Sequence, residues 1–169
     1  MSSTMYTASI PVFTQLLGGL QGVLKKAEDH AEAKKIDPSV FLQARLAPDM
    51  FSLIRQVQIA CDFAKSVTAR LAGVDVPETP DTETSFADLQ TRINTTLTFL
   101  SSITEAQLAS SEAREIVLRP GTPKEKKLLG QAYLLSYGIP QFFFHVTTAY
   151  GILRHQGVEI GKRDFMGSY

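Results

Sequence analysis

Sulfhydryl chemistry is nearly absent from this chain: it has one cysteine, Cys61, so no disulfide can form within it. A reducing, cytoplasmic setting is the expectation. Charge of one sign in excess is missing too, since 17 Lys and Arg balance 17 Asp and Glu. Without a net field, neither nucleic acid nor an anionic membrane is an expected partner. No apolar run approaches the roughly 18 residues that a membrane span needs. The opening "MSSTMYTASIPVF" has neither a basic start nor a long apolar stretch, so no secretory signal is read there. Histidine is scarce, with three residues, His30, His145 and His155. No Ser-His-Asp or Cys-His arrangement can be assembled from their spacing.

What remains is a chain of 169 residues, 44% apolar, long enough for one domain over 1–169 with a sizeable core. Four segments carry apolar side chains three and four apart. Over 10–33 the stripe is Phe13, Leu16, Leu17, Leu20, Val23, Leu24 and Ala27, with Pro11 in the first turn. Over 48–72 it is Met50, Ile54, Val57, Cys61, Ala64, Thr68 and Leu71, opened by Pro48 and stopped by Gly73. Over 85–104 it is Phe86, Leu89, Ile93, Leu97 and Leu100, with Ser85 and Asp88 spaced as a capping box. The fourth runs over 140–156, from Pro140 to Gly157. Asp37 and Pro38 read as the cap and first position of a short connecting helix. Between 105 and 138 the pattern is irregular. Glu115 to Leu118 is β-prone, and Thr122, Pro123 and Glu125 predict a short helix over 123–136. The expected architecture is an all-α four-helix bundle.

The fourth segment contains "QFFFHVTTAYGILRHQG". Gln141, His145, Thr148, Ala149 and Ile152 share one face. His145 admits three readings: a core histidine with one satisfied hydrogen bond, a pocket base or ligand-binding group, or a metal ligand. His145 and His155 are ten apart and diverge by about 280° at ~100° per residue. At i−4 from His145 stands Gln141, and an amide is a poor ligand for zinc or nickel. Local spacing therefore favours the first reading and disfavours the third. In the second segment, Gln58 and Asp62 lie one turn apart on the flank of the apolar seam, as groups able to meet His145. Cys61 falls on the seam as an inert core thiol. Arg45, Arg55 and Arg92 have the chemistry of carboxylate clamps, with salt bridges as the plainer role. "KEKK" at 124–127 reads as a solvated helix start.

Two stretches, "LAPDMFSLIRQVQIACDFAKSVTARLAG" and "IPQFFFHVTTAYGILRHQGVEIGKRDF", resemble the DUF1993 proteins, a family of unknown function within the DinB/YfiT-like superfamily. The resemblance covers essentially the whole chain. It implies an up-down-down-up four-helix bundle and a homodimer. Many relatives hold nickel or zinc through three histidines, and some are thiol-dependent transferases or isomerases. Carried onto this sequence, His145 takes the place of the second histidine of a His-x-x-x-His pair. Gln141 takes the first, and the ligand of the second helix falls near Gln58.

The reading that follows is a bundle with a metal-degenerate pocket and no cofactor. Gln58, Asp62, Gln141, His145 and Tyr150 would line it, a small molecule would occupy it, and His145 would serve as acid or base in any turnover. Two alternatives are a metal- or thiol-dependent transferase or isomerase, and a non-catalytic dimeric interaction module. For a homodimer, the sequence offers extra apolar width at Val12 and Leu16, the pair Gly18 and Gly22, and the tail aromatics Phe165 and Tyr169.

Overall fold

The computed structural model describes residues 4–169. Residues 1–3, where the reading of the N-terminal opening begins, lie outside the described residues. A single turn, α1 (Thr4–Thr7), leads into α2 (Ile10–Lys34), whose first turn accepts Pro11 because that N–H has no helical partner. α2 buries Phe13, Leu16, Leu17, Leu20, Val23 and Leu24, the stripe expected of it. The connector carries α3 (Pro38–Leu42), capped by Asp37, whose carboxylate accepts the Ser39 N–H at 2.8 Å.

The second long helix, α4 (Leu53–Ala72), begins five residues later than Pro48 predicts. The Leu53 N–H bonds the Ala44 carbonyl at 2.9 Å, and Arg45 donates to the Met50 carbonyl at 3.2 Å. Those bonds hold 48–52 as a turn. α4 ends at Gly73, which adopts the left-handed φ of 70° that a side chain would resist. α5 (Phe86–Ser102) opens on a reciprocal cap: Asp88 N–H to Ser85 Oγ at 3.1 Å, and Ser85 N–H to Asp88 Oδ2 at 3.0 Å.

The region from 105 departs most from expectation. After α6 (Glu105–Leu108), strand β1 (Glu115–Leu118) pairs antiparallel with β2 (Lys126–Leu129), Glu115 opposite Leu129. The helix predicted over 123–136 is therefore absent from its first half. The β-prone stretch needs a partner for its backbone groups, and 126–129 supplies it. The capping signals do form, but within the hairpin turn: Glu125 accepts the Gly121 N–H at 2.8 Å and Thr122 accepts the Lys124 N–H at 3.2 Å. Helix begins at α7 (Gly130–Tyr133), passes through a widened π turn over Leu134–Gly138, and continues as α8 (Ile139–His155). The widened turn precedes Pro140, which has no N–H to continue the regular ladder.

α4 packs between α5 and α8, and α2 closes the ring against both. The fold is thus a four-helix bundle with one small hairpin at its side. Phe13 of α2 meets Phe142 of α8 edge to face, centroids 4.8 Å apart. The tail, with α9 (Lys162–Met166), lies along α2. Lys26 pairs with Asp164 at 2.6 Å, and Gln15 donates to the Met166 carbonyl at 3.0 Å. A Cβ at Gly19 would stand 2.5 Å from the Phe165 carbonyl oxygen, so this approach requires glycine. The chain's own tail meets α2 at Gln15, Gly19 and Lys26, while Gly18 and Gly22 of the face read for a dimer stay exposed. Phe165 packs on Tyr150, centroids 5.7 Å apart, while Tyr169 is exposed. Among the described residues, no helix is long and apolar enough to cross a membrane.

Candidate functional site

α4 presents polar side chains on two of its faces, and they meet different partners. On the face toward α8, His145 is 7% exposed. Its Nδ1 lies 2.7 Å from the amide oxygen of Gln56, itself buried. An amide oxygen only accepts, so Nδ1 carries the hydrogen and donates, leaving Nε2 as a lone pair. The other end of the Gln56 amide donates to the Phe51 carbonyl at 3.2 Å, which fixes the amide's orientation. Gln56 and Phe63, seven apart, share a stripe of α4, and the Phe63 ring stacks on the imidazole at 5.8 Å and 15°. Phe144 stands edge-on to it at 5.2 Å.

Burial lowers the pKa of His145 below its ordinary value, and the Arg55 cation lowers it further. The imidazole is therefore neutral near pH 7. Among the described residues, Thr68 Oγ1 and Arg92 Nε are the enclosed side-chain polar atoms without a partner. His145 Nε2 is not one of them. Phe144, edge-on to the ring, is 55% exposed; Phe51, whose carbonyl holds the Gln56 amide, is equally exposed and carries Arg55 over its ring at 5.9 Å. A neutral hydrogen-bond acceptor, fixed in direction and beside an exposed aromatic ring, is what this arrangement provides.

The other polar face of α4 meets α5 and the segment 74–85. Arg92 of α5, 3% exposed, donates to Asp62 at 2.8 Å and to Glu83 at 2.9 Å, and pairs with Asp81 at 3.0 Å. Arg55 pairs with Asp81 as well, and its guanidinium reaches Gln58 at 3.1 Å. The Gln58 amide donates to Glu83 at 2.8 Å. Burial alone would raise the pKa of Glu83, but the hydrogen bonds from Arg92 and Gln58 outweigh it and hold the carboxyl below its ordinary value. Lys65 closes the network against Thr79 at 2.8 Å and Asp62 at 3.5 Å.

The structure thus brings His145 to Gln56 and not to the expected Gln58 or Asp62, which are tied into the arginine network. Gln56 and Gln58 are about 200° apart around α4, and packing decides which one faces α8. Gln141 lies half-buried one turn before His145 on α8. Tyr150, five residues beyond His145, turns to the tail, its hydroxyl 3.5 Å from the Ile160 carbonyl. Arg45, Arg55 and Arg92 all take structural partners. Cys61 is enclosed, and burial pushes its thiol up to about 12, an inert state.

A model of a domain of unknown function, DUF1993, matches residues 5–166. The chain belongs to the DUF1993 family. Among solved structures it is similar to a DinB family member protein from Shewanella denitrificans, with 44% identity and a TM-score of 0.92, over 97% of this chain and 92% of that one. No curated protein matches the chain. The three-histidine set of metal-binding DinB relatives does not fit these residues. This DUF1993 chain opposes His145 with a glutamine amide already hydrogen-bonded at both ends. Among the described residues, no group of three His, Cys, Asp or Glu side chains is placed to hold a metal ion.

Proposed function

We propose that this DUF1993 protein binds a small molecule at His145 through the imidazole itself rather than through a transition metal. The observation that supports the reading is the 2.7 Å contact between Nδ1 and Gln56, which leaves Nε2 of a neutral ring without a partner beside the exposed Phe144. Such a group accepts a hydrogen bond from an O–H or N–H of the ligand. In a turnover it would act as general base. The positive charge of Arg55 nearby favours neutral or anionic ligands over cationic ones. The reading places the protein in the cytoplasm, where its single thiol stays reduced.

The test is a thermal-shift screen of small molecules against the wild type and His145→Asn. Asparagine reproduces the Nδ1–H donor to Gln56 but has nothing in place of Nε2, so the fold is kept and the acceptor removed. Ligands that stabilise the wild type and leave H145N unshifted support the reading. Ligands that shift both equally would place binding elsewhere.

Pairing of two copies is a second reading, favoured by the exposed apolar stripe of Leu46, Phe51 and Phe144. Leu46 lies over Gly151, two turns along α8 from Phe144. Sedimentation at micromolar concentration tests it: a dimer for the wild type that dissociates in F144S supports pairing, and a single monomeric species overturns it.

A further inference from the structure

The β1–β2 hairpin holds a second feature that the His145 site does not use. A cavity of about 390 Å³ lies between the hairpin tip and the widened turn, lined by Arg119, Lys124 and Lys126 together with Tyr137. Among the described residues, none of the three cations has an ion-pair partner. The fourth cation of the hairpin, Lys127, turns to Glu115 at 3.6 Å. The one carboxylate at the cavity, Glu125, accepts the Gly121 N–H. In a chain whose charges balance overall, three unpaired cations converge on one concave space.

The larger cavity between α4 and residues 76–80, about 590 Å³, makes the contrast plain. Its lysine, Lys65, is already held by Thr79 and Asp62. Among the described residues, no ion pair holds Arg119, Lys124 or Lys126 in that way. Arg119 moreover adopts a left-handed φ of 51°, a conformation that glycine takes without strain and arginine does not. The fold tolerates arginine where the turn itself is better served by another residue.

We propose that this cavity is a binding site for a small anion carrying two or more carboxylate or phosphate charges. Arg119 offers a planar donor fork that matches a carboxylate or phosphate edge, and the two lysines add point charges. Tyr137, which lines the same cavity, carries a hydroxyl able to donate. The concave shape fits a compact soluble anion rather than a flat polyanionic surface. Tyr137 also lies against Phe63 at 5.9 Å, and Phe63 against His145 at 5.8 Å, so a bound anion borders the aromatic wall of the His145 site. The proposal stands without any role for His145.

The probes are inorganic phosphate and citrate, titrated into the full chain at low ionic strength and followed by amide NMR, with chloride at matched ionic strength as control. Saturable shifts at Arg119, Lys124, Lys126 and Tyr137, weakened at least tenfold in K124Q/K126Q, support the site. R119G removes a charge while relieving the backbone, so it folds at least as well as the wild type and binds citrate several-fold more weakly. Shifts that chloride reproduces, that never saturate, or that survive in K124Q/K126Q overturn the proposal. So does binding to vesicles containing phosphatidylserine without binding to either soluble anion, which would assign the lysines to a lipid surface.

Discussion

Arg92 and His145 are both enclosed against α4, at 3% and 7% exposure, and differ in how far their hydrogen bonding is used up. The Arg92 guanidinium meets Asp62, Asp81 and Glu83, and only its Nε lacks a partner. His145 has one partner, Gln56, and keeps an unshared lone pair in a neutral ring. A buried charge must be matched or it destabilises the fold, so a guanidinium met by three carboxylates is what a structural role looks like. His145 Nε2 is not among the enclosed atoms that lack a partner, so it stays uncommitted without the full cost of a buried unpaired group. That uncommitted atom is what binding requires.

The comparison breaks first at Arg92. Arg92→Met leaves Glu83 enclosed without its cation and removes the arginine's ties between α5 and the segment 74–85, while Arg55, Gln58 and Lys65 still hold that segment to α4. Urea denaturation should show a loss of about 3 kcal/mol, with Asp62 and Asp81 limiting it because they reach solvent. A loss under roughly 0.5 kcal/mol would mean that the network is ornamental, on the scale of a surface pair.

That network also explains what the sequence made legible and what it did not. The stripes of α2, α4, α5 and α8 are local, and so are Pro11, Gly73 and the Ser85–Asp88 cap. Each could be read along the chain. β2 could not, since "KKLL" has no alternation of its own and exists because β1 needs a partner. The burial of His145 was likewise legible from its apolar neighbours, but its partner was not. Gln56 and Gln58 lie on opposite flanks of the same seam, and only the rotation of α4 against α8 selects between them. The sequence places Gln56, Phe63 and Val67 on a single stripe, but that this stripe faces α8 shows only in the structure, where Val67 abuts Gly138 at the entry to α8.

Acid should act next on the saturated cluster. Glu83 has a folded pKa below its ordinary 4.5, so it contributes stability above about that pH and loses it as pH falls through the folded value. Denaturant midpoints should therefore drop below about pH 4.5. In E83Q the drop should be shallower, and an unchanged slope would remove Glu83 from the account.

A smaller effect sharpens the histidine side. Gln56→Leu removes the acceptor from Nδ1–H and leaves a buried donor unpaired, a cost of about 1–2 kcal/mol. It should also release the tautomer: nitrogen-15 shifts of the imidazole, which in the wild type report a protonated Nδ1, should move toward a mixture. If the tautomer stays fixed, Gln56 is not what orients the ring.

The smallest expected effect separates the two clusters by pH alone. His145 is held neutral, with a folded pKa below the ordinary 6.5, while in the unfolded chain it takes a proton near that value. Just below pH 6.5 the unfolded state therefore binds more protons than the folded one. Stability is full above that pH and declines as pH falls from about 6.5 through the folded value. Both clusters thus lose stability in acid, for opposite reasons. Glu83 must stay charged, and its window lies below about 4.5; His145 must stay uncharged, and its window opens two units higher. H145N should flatten the upper decline and leave the lower one in place, while E83Q should do the reverse. If H145N leaves the decline between pH 6.5 and 5.5 unchanged, the ring takes up its proton in the folded state as readily as in the unfolded one. Burial would then not be what keeps the ring neutral, and the enclosed setting proposed for the acceptor would fall.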